Sequence, residues 1–376
     1  MRINNWTCPV FYSRRILHPF DLGRDIHILL PTMNLSDSPD LLDIENERML
    51  RDYLRAGGHL SASDSVSVRV LAGGVSNKTV LMEWPDGHGW VLKQALAKLR
   101  VAVDWFSDPA RIEREAMGLR WLEKIAPPGT ITPLVFEDPA HHLLAMEAVP
   151  RPHENYKTLL LSGQIDESHA KQFGQLLAAI HRGGWERQSQ LATIFDDRSF
   201  YQSLRLEPYY QYTAQQVPDA ADFLTPLIQS TLDRRITIVH GDYSPKNVLV
   251  RDGRLILLDH EVIHFGDPAF DLGFAMTHLL SKAHHLPQFR PALLNAAGCF
   301  WNSYLNTLGD VPFITDLPSH AARQTLGCLL ARVAGRSPLE YLTGDQRLRQ
   351  RHRVVELMKN PPANPPELFN RFIQDL

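Results

Sequence analysis

The chain has 376 residues, 44% of them hydrophobic, enough to bury a sizeable core shared between two lobes. A formal net charge of −3 offers no basic field for nucleic acid, and no run approaches the ~18 apolar residues of a membrane span. The three cysteines, Cys8, Cys299 and Cys328, are odd in number and far apart, which points to free thiols in a reducing, cytoplasmic setting rather than a disulfide framework or a zinc site.

Residues 1–44 mix Pro, Asp and Ser with scattered apolar residues and read as an extension, with Met33 as an alternative start and no secretory leader. From Glu45 the pattern turns helical: Met49, Leu50, Tyr53 and Leu54 share one face, and Gly57-Gly58 ends it. Val66, Val68 and Val70 alternate with polar residues as a first strand. Thr79–Trp84 forms a second, Pro85-Asp86-Gly87 turns the chain, and Trp90–Gln94 forms a third. The loop Gly73-Gly74-Val75-Ser76-Asn77-Lys78 can bring the backbone N–H groups of Ser76, Asn77 and Lys78 near phosphate oxygens. It lacks Gly-x-Gly-x-x-Gly spacing, so an ordinary hairpin loop is the alternative.

On the third strand, period-two alternation sets Val91 and Lys93 on one face and Trp90, Leu92 and Gln94 on the other. A lysine in an apolar strand needs an anion beside it. The helix predicted over Arg111–Ile125 buries Ile112, Leu119, Leu122 and part of Met117. It carries Glu113 and Glu115, both compatible with a solvated face. Leu143–Ala148 is an apolar strand running toward Pro150 and Pro152, and it marks a boundary between residues 45–148 and 149–376.

Beyond that boundary the chain reads as mainly helical. Ser168–Arg182 carries Phe173, Leu176, Leu177 and Ile180 at helical spacing and is expected to stop at Gly183-Gly184. Asp222–Arg234 is a further helix and leads to the strand Ile236–Val239. His141-His142 and His284-His285 read as surface or loop residues, since no paired Cys/His spacing suggests metal ligands.

The most informative stretch is His240-Gly241-Asp242-Tyr243-Ser244-Pro245-Lys246-Asn247, followed by Leu257-Leu258-Asp259-His260-Glu261. Arg251-Asp252-Gly253-Arg254 is a strong two-residue turn signal, because Asp-Gly accepts the positive φ of a type I′ turn. Pairing Arg251 with Arg254 sets Asn247 opposite Leu258, next to Asp259. Two oxygen donors then meet at the open end of a hairpin. A carboxylate ending a buried strand costs several kcal/mol unless it is paired or metal-bound. Phosphoryl transfer from ATP needs such a set: Asp242 to orient an acceptor hydroxyl, Asn247 and Asp259 to hold magnesium, and Glu261 as a further candidate ligand. Asp267 reads as an N-cap with Pro268 at the first helical position.

These residues resemble the aminoglycoside phosphotransferase and choline kinase superfamily, relatives of the protein kinases. The shared elements are His240-Gly241-Asp242, Asn247, the strand ending at Asp259, and Gly266-Asp267-Pro268 with Asp271-Leu272. Leu92-Lys93-Gln94-Ala95-Leu96, Arg100-Val101, Asp104-Trp105 and Asp259-His260-Glu261 look most like the methylthioribose kinase branch. The resemblance spans roughly residues 66–340. It implies an α+β, bilobal, protein-kinase-like fold: a small antiparallel sheet lobe and a larger, mainly helical lobe. It also implies an ATP- and Mg²⁺-dependent transfer to an alcohol group. Lys93 would contact the ATP phosphates and pair with Glu115, or alternatively Glu113. Met146, Glu147 and Ala148 would meet adenine, Asp271 would anchor the loop around Asp242, and Arg332 would face the acceptor.

The acceptor is less legible. His-Gly-Asp-Leu-His is usual in methylthioribose kinases, whereas this chain continues Tyr243-Ser244-Pro245-Lys246-Asn247, and it has one arginine, Arg332, where that branch has a pair. Arg323, Arg332, Arg336, Arg347, Arg349, Arg351 and Arg353 crowd the C-terminal region. If they line the site, a neutral or anionic polyol fits better than a polycation; a solvated helical face is the alternative. A small-molecule hydroxyl substrate is therefore expected, preferably sugar-like. An aminoglycoside, macrolide or amino-alcohol (choline, homoserine) phosphotransferase and a nucleotide-binding pseudokinase module stand as alternatives. The methylthioribose kinase likeness also allows a homodimer.

Overall fold

The computed structural model describes residues 42–376 apart from Gly73, Ala102, Val103 and Asp375. Leu42–Leu376 forms one compact unit. The expectations for residues 1–41, including Met33 and Cys8, fall outside the described residues.

The first lobe begins with α1 (Glu47–Ala56), whose Asn46 side chain caps the Met49 N–H and whose end is marked by Gly57 and by Gly58 at φ 71°. Five antiparallel strands follow: β1 (Ser67–Val70), β2 (Asn77–Glu83), β3 (Gly89–Ala95), β4 (Leu134–Asp138) and β5 (Leu143–Glu147), in the order β1-β2-β3-β5-β4. One face of the sheet buries Val80, Met82, Leu92 and Ala145 against Leu50 and Leu54 of α1. Leu42 and Ile44, inside the stretch read as an extension, are buried in that same layer. The opposite face presents Thr79, Val91 and Lys93 to a cleft, the two-sided division that strand alternation dictates. The helix α2 (Arg111–Ile125) forms over the predicted residues; Glu115 is fully buried on it, whereas Glu113 is exposed.

The second lobe is mainly helical. After β6 (Glu154–Asn155) come α3 (Tyr156–Leu161), α4 (Glu167–Glu186), α5 (Gln188–Ile194) and α6 (Ser199–Tyr201). The last continues into a π-helical stretch, Gln202–Gln211, with Pro208 inside it, and then α7 (Tyr212–Gln216) and α8 (Ala221–Asp233). Next come β7 (Thr237–Val239), the hairpin β8 (Val248–Arg251) and β9 (Arg254–Leu257), and β10 (His264–Gly266), which pairs with β7. The helices α9 (Pro268–His285), α10 (Arg290–Leu308), α11 (Leu317–Ala334), α12 (Gly344–Lys359) and α13 (Pro365–Ile373) complete the chain. The expected α+β, bilobal architecture is present: a small antiparallel sheet lobe and a larger helical one.

Two local expectations are corrected. The helix α4 does not stop at Gly183-Gly184 but runs on to Glu186. A Cβ on Gly184 would lie 2.5 Å from Thr237 Oγ1 and 2.8 Å from Ile238 N, and one on Gly183 would lie 2.3 Å from Ile125 Cγ2. These glycines therefore serve close packing of α4 on β7 and α2, not termination. We expect Gly184→Ala to cost ~1–3 kcal/mol by overpacking, read as a lowered denaturation midpoint; it should also perturb the loop that leaves β7. The second correction concerns His284, which is buried, its Nε2 3.0 Å from the Gln346 carbonyl. Cys299 and Cys328 are free thiols, and among the described residues no helix is long and apolar enough to cross a membrane.

Candidate active site

The hairpin forms in the register its turn chemistry requires. Arg251 pairs with Arg254 and Val248 with Leu257, and Asp252 and Gly253 adopt φ of 50° and 71°. The Leu258 N–H donates to the Asn247 carbonyl at 2.9 Å, so Asn247 and Asp259 leave the two strands side by side. Asp259 itself has φ 70°, a left-handed backbone rare for a residue with a side chain and a frequent mark of a functional position.

A cleft of ≈ 920 Å³ collects the expected residues. Ser76, Asn77, Lys93, Met146, Glu147, Ala148, Asp242, Asn247, Asp259, Glu261 and Arg332 all line it. Lys93 Nζ lies 2.6 Å from Glu115 Oε1 and 3.0 Å from Asp259 Oδ1. Glu115 thus supports the cleft from behind. Burial would lower the Lys93 ammonium, but Asp259 and Glu115 outweigh it and hold it above its usual range. Burial would raise Asp259, yet Lys93, Lys246 and Arg205 keep it well below the usual carboxylate range. Glu115 goes the other way, because burial pushes it up to about 7 against the pull of Lys93. Two acids share one lysine; burial weighs most on Glu115, whereas Asp259 also feels Lys246 and Arg205.

A pH dependence follows. Glu115 is raised from 4.5 to about 7, so its contribution to stability is full below pH 4.5 and is lost as pH rises through about 7. Denaturation midpoints of Glu115→Gln, measured across that window, should lack this downward slope.

The loop around Asp242 is fixed from below. Asp271, fully buried on α9, accepts from the His240 N–H at 2.7 Å and the Gly241 N–H at 2.8 Å, and lies 3.2 Å from His181 Nε2. Asp267 caps α9 through the Ala269 N–H, as its position before Pro268 predicts. Gly241 sits at φ 79° against Val262, where a Cβ would come within 3.0 Å of its carbonyl oxygen.

Asn247 Nδ2 donates to Asp242 Oδ2 at 2.8 Å and to the Asp242 carbonyl at 3.0 Å, which leaves its Oδ1 available. Asp242 Oδ2 also meets Arg205 Nη2 at 2.8 Å. Arg205 comes from the π-helical stretch and carries no signal in the sequence that marks it. Helical distortions of this kind concentrate at functional sites, and Pro208 in a helical segment was the one available hint. Arg111 was also missed as more than a helix start. It is fully buried, bonds the Ser76 and Leu96 carbonyls, and meets Glu261 Oε2 at 3.2 Å. Asn77 Nδ2 reaches the same Glu261 oxygen at 3.3 Å. The Ser76–Asn77 loop is thereby tied to the segment carrying Asp259 and Glu261.

The placement of two expected contacts differs. Lys78 does not line the cleft; alternation along β2 turns it away, and it pairs with Asp43 at 2.7 Å. In the strand expected to meet adenine, the Glu147 N–H donates to the Pro133 carbonyl at 2.9 Å and the Ala148 N–H to the Gly89 carbonyl at 2.8 Å. Neither N–H is free for a base. Val149 also lines the cleft, and its N–H donates to no backbone carbonyl among the described residues. Of the arginine-rich C-terminal run, Arg332 and Arg336 line the cleft and Arg347–Arg353 do not.

Among the described residues no three His, Cys, Asp or Glu side chains form a metal cage. Magnesium does not require one, since it is typically held by one or two carboxylates while keeping waters and phosphate oxygens. The cleft offers the Asp259 carboxylate, Asn247 Oδ1 and the second oxygen of Glu261, all hard donors, so the residues fit that ion.

The phosphotransferase enzyme family matches residues 67–307 of this chain. The chain belongs to that family. Methylthioribose kinase of Pectobacterium carotovorum is 27% identical to this chain over 243 residues, spanning 55% of this chain and 58% of the relative. The enzyme of that name from Citrobacter koseri is 26% identical over 271 residues, 60% of this chain and 67% of its own. The match thus takes in less than two thirds of the Pectobacterium protein. Among solved structures, amicoumacin kinase hAmiN in complex with AMP-PNP, Ca²⁺ and Ami aligns with a TM-score of 0.53 at 15% identity, covering 85% of this chain and 95% of that one. Choline kinase of Cryptosporidium parvum aligns at 0.51 and 10%, covering 84% and 96%. At such identities these two establish the shared protein-kinase-like fold of the phosphotransferase and nothing about its acceptor.

Proposed function

We propose that this protein transfers the γ-phosphate of ATP to a hydroxyl of a sugar or sugar-like small molecule. The observation that carries this reading is the placement of Asp242: it is held between Asn247 and Arg205, in the same cleft as the Lys93–Asp259 pair. ATP would lie between residues 45–148 and 149–376. The Val149 N–H and the Glu147 carbonyl would meet the base with the Met146 side chain against it, and Lys93, steadied by Glu115, the phosphates. Asn247, Asp259 and Glu261 would hold Mg²⁺, which when bound neutralises phosphate charge. Ser76 and Asn77 would close over the phosphates, with Arg111 keeping their loop in place. Asp242 would accept the hydrogen bond of the acceptor hydroxyl and align it for in-line attack. Arg205 would keep that carboxylate in position.

The lining of the cleft disfavours a polycationic acceptor, because Arg332 has no ion pair of its own among the described residues and would repel it. ADP release should be measured with methylthioribose, other pentoses, aminoglycosides, choline and homoserine. Turnover confined to the sugars is the expected result. Turnover confined to the amines would overturn the acceptor class. Tight ATP binding with no turnover on any acceptor would favour an interaction module.

A further inference from the structure

The end of the cleft beyond Asp242 holds more positive charge than its acids can neutralise. Arg205 is paired with Asp242 at 2.8 Å, Lys157 with Glu340, and Arg336 with Glu207 at 2.9 Å. Among the described residues Arg332 forms no ion pair with a carboxylate, although it adds to the positive field on Glu340. Its Nη1 donates to the Tyr209 hydroxyl at 3.0 Å and to Ser337 Oγ at 2.9 Å, and its guanidinium lies 5.6 Å from the centre of the Tyr209 ring. These contacts fix its plane while its buried Nε has no acceptor.

Near it, outside the cleft lining, stands Lys282, with no exposed surface and no ion pair to a carboxylate among the described residues. Among the described residues Lys282 Nζ donates to the carbonyl of His278, one turn back on its own helix, at 3.2 Å, and lies 5.2 Å from the centre of the Tyr341 ring. Burial and the neighbouring Lys157 push its ammonium down to about 7, against the weaker pull of Glu340, which is itself paired with Lys157. His278, which lines the cleft, is pushed well below its ordinary value by burial and then by Lys282, Arg332 and Lys157.

Three cations, Lys157, Arg332 and the buried Lys282, share one carboxylate, Glu340, so keeping Lys282 charged is costly in the free protein. A neutral polyol would leave that cost standing, and a cationic acceptor would add to it. A bound anion would offset it through charge-assisted hydrogen bonds to the pre-oriented Arg332.

We propose that the acceptor carries an anionic group, a carboxylate or a phosphate ester, bound by Arg332 with Lys282 as a second cation behind it, at a distance from the hydroxyl that Asp242 aligns. This assignment rests on the reading of the cleft as that of a hydroxyl kinase, and it narrows the acceptor from sugar-like compounds to acidic ones.

The test uses the full-length protein with Mg²⁺ and ATP or a non-hydrolysable analogue. Ribose, ribonate and ribose 5-phosphate are compared as probes, by calorimetric binding and by ADP release. The expected result is that ribonate or ribose 5-phosphate binds about tenfold or more tightly than ribose, and whichever wins identifies the anion. Arg332→Gln and Lys282→Met should each erase most of that preference, while the exposed Arg349→Gln should leave it intact; Arg332→Gln keeps the test decisive should Lys282→Met fail to fold. Equal binding of charged and neutral probes, a preference for ribose, no binding of either charged probe, or a preference that survives Arg332→Gln would overturn the proposal. Turnover of ribose alone would overturn it while leaving the kinase reading in place. Arg332-dependent binding of an anion with no phosphoryl transfer would uphold the anion site and count against the kinase reading.

Discussion

Replacing Asp242 by Asn is expected to lower kcat by ~10²–10⁴ while leaving ATP affinity nearly unchanged. The amide keeps the shape of the side chain and the loop held by Asp271, but it cannot accept the acceptor proton as a carboxylate does. It also leaves the buried Arg205 guanidinium without its counter-charge, so part of the loss will come from the base being wrongly placed rather than absent. Lys93, Glu115 and Asp259 lie on other segments and form their own ion-pair set, so nucleotide binding should be spared. Single-turnover ADP formation, set beside nucleotide binding by calorimetry, separates the two effects. A variant turning over at the wild-type rate would remove Asp242 from the mechanism.

The largest stability effect is expected at Asp271. Its carboxylate is fully buried and receives two backbone N–H groups and His181. Burial alone would raise it, but His181 and the His240 amide outweigh that cost and hold it below its ordinary value. Asp271→Ala strands two buried amides and an imidazole at once, which should cost ~3–5 kcal/mol, the range for breaking a buried polar network. The same change frees the His240-Gly241 backbone, so the Asp242 side chain should lose its fixed aim. Urea denaturation measures the first effect and the kcat of the remaining folded protein the second. A loss of stability under ~1 kcal/mol would mean that water or another donor substitutes for the carboxylate.

Much of this site was legible because its parts obey local rules. Asp252-Gly253 fixes the hairpin turn, the turn fixes the register, and the register puts Asn247 beside Asp259. Asp267-Pro268 caps its helix by the same kind of short-range chemistry. Period-two alternation placed Lys93 on the cleft face of β3, yet the same rule applied along β2 would have excluded Lys78, which pairs with Asp43 instead. Gly183-Gly184 misled because a glycine pair signals helix ends locally, whereas here it answers a need that only the neighbouring strand creates.

The family resemblance implied the two-lobed α+β plan, while local sequence determined several strands and helices, the turn after Arg251 and the register that sets Asn247 beside Asp259. These local features depend on propensity, periodicity or a turn spanning a few residues, and such interactions are written in adjacent letters. Tertiary structure alone decided that Glu115 rather than Glu113 is buried against Lys93, that Arg205 pairs with Asp242 and that Arg111 ties the Ser76–Asn77 loop to Glu261. It alone also decided that Arg332 and Lys282 gather with no ion pair of their own among the described residues. Those contacts join residues far apart in the chain, and no local pattern encodes which of many similar charged side chains the packing will bring together.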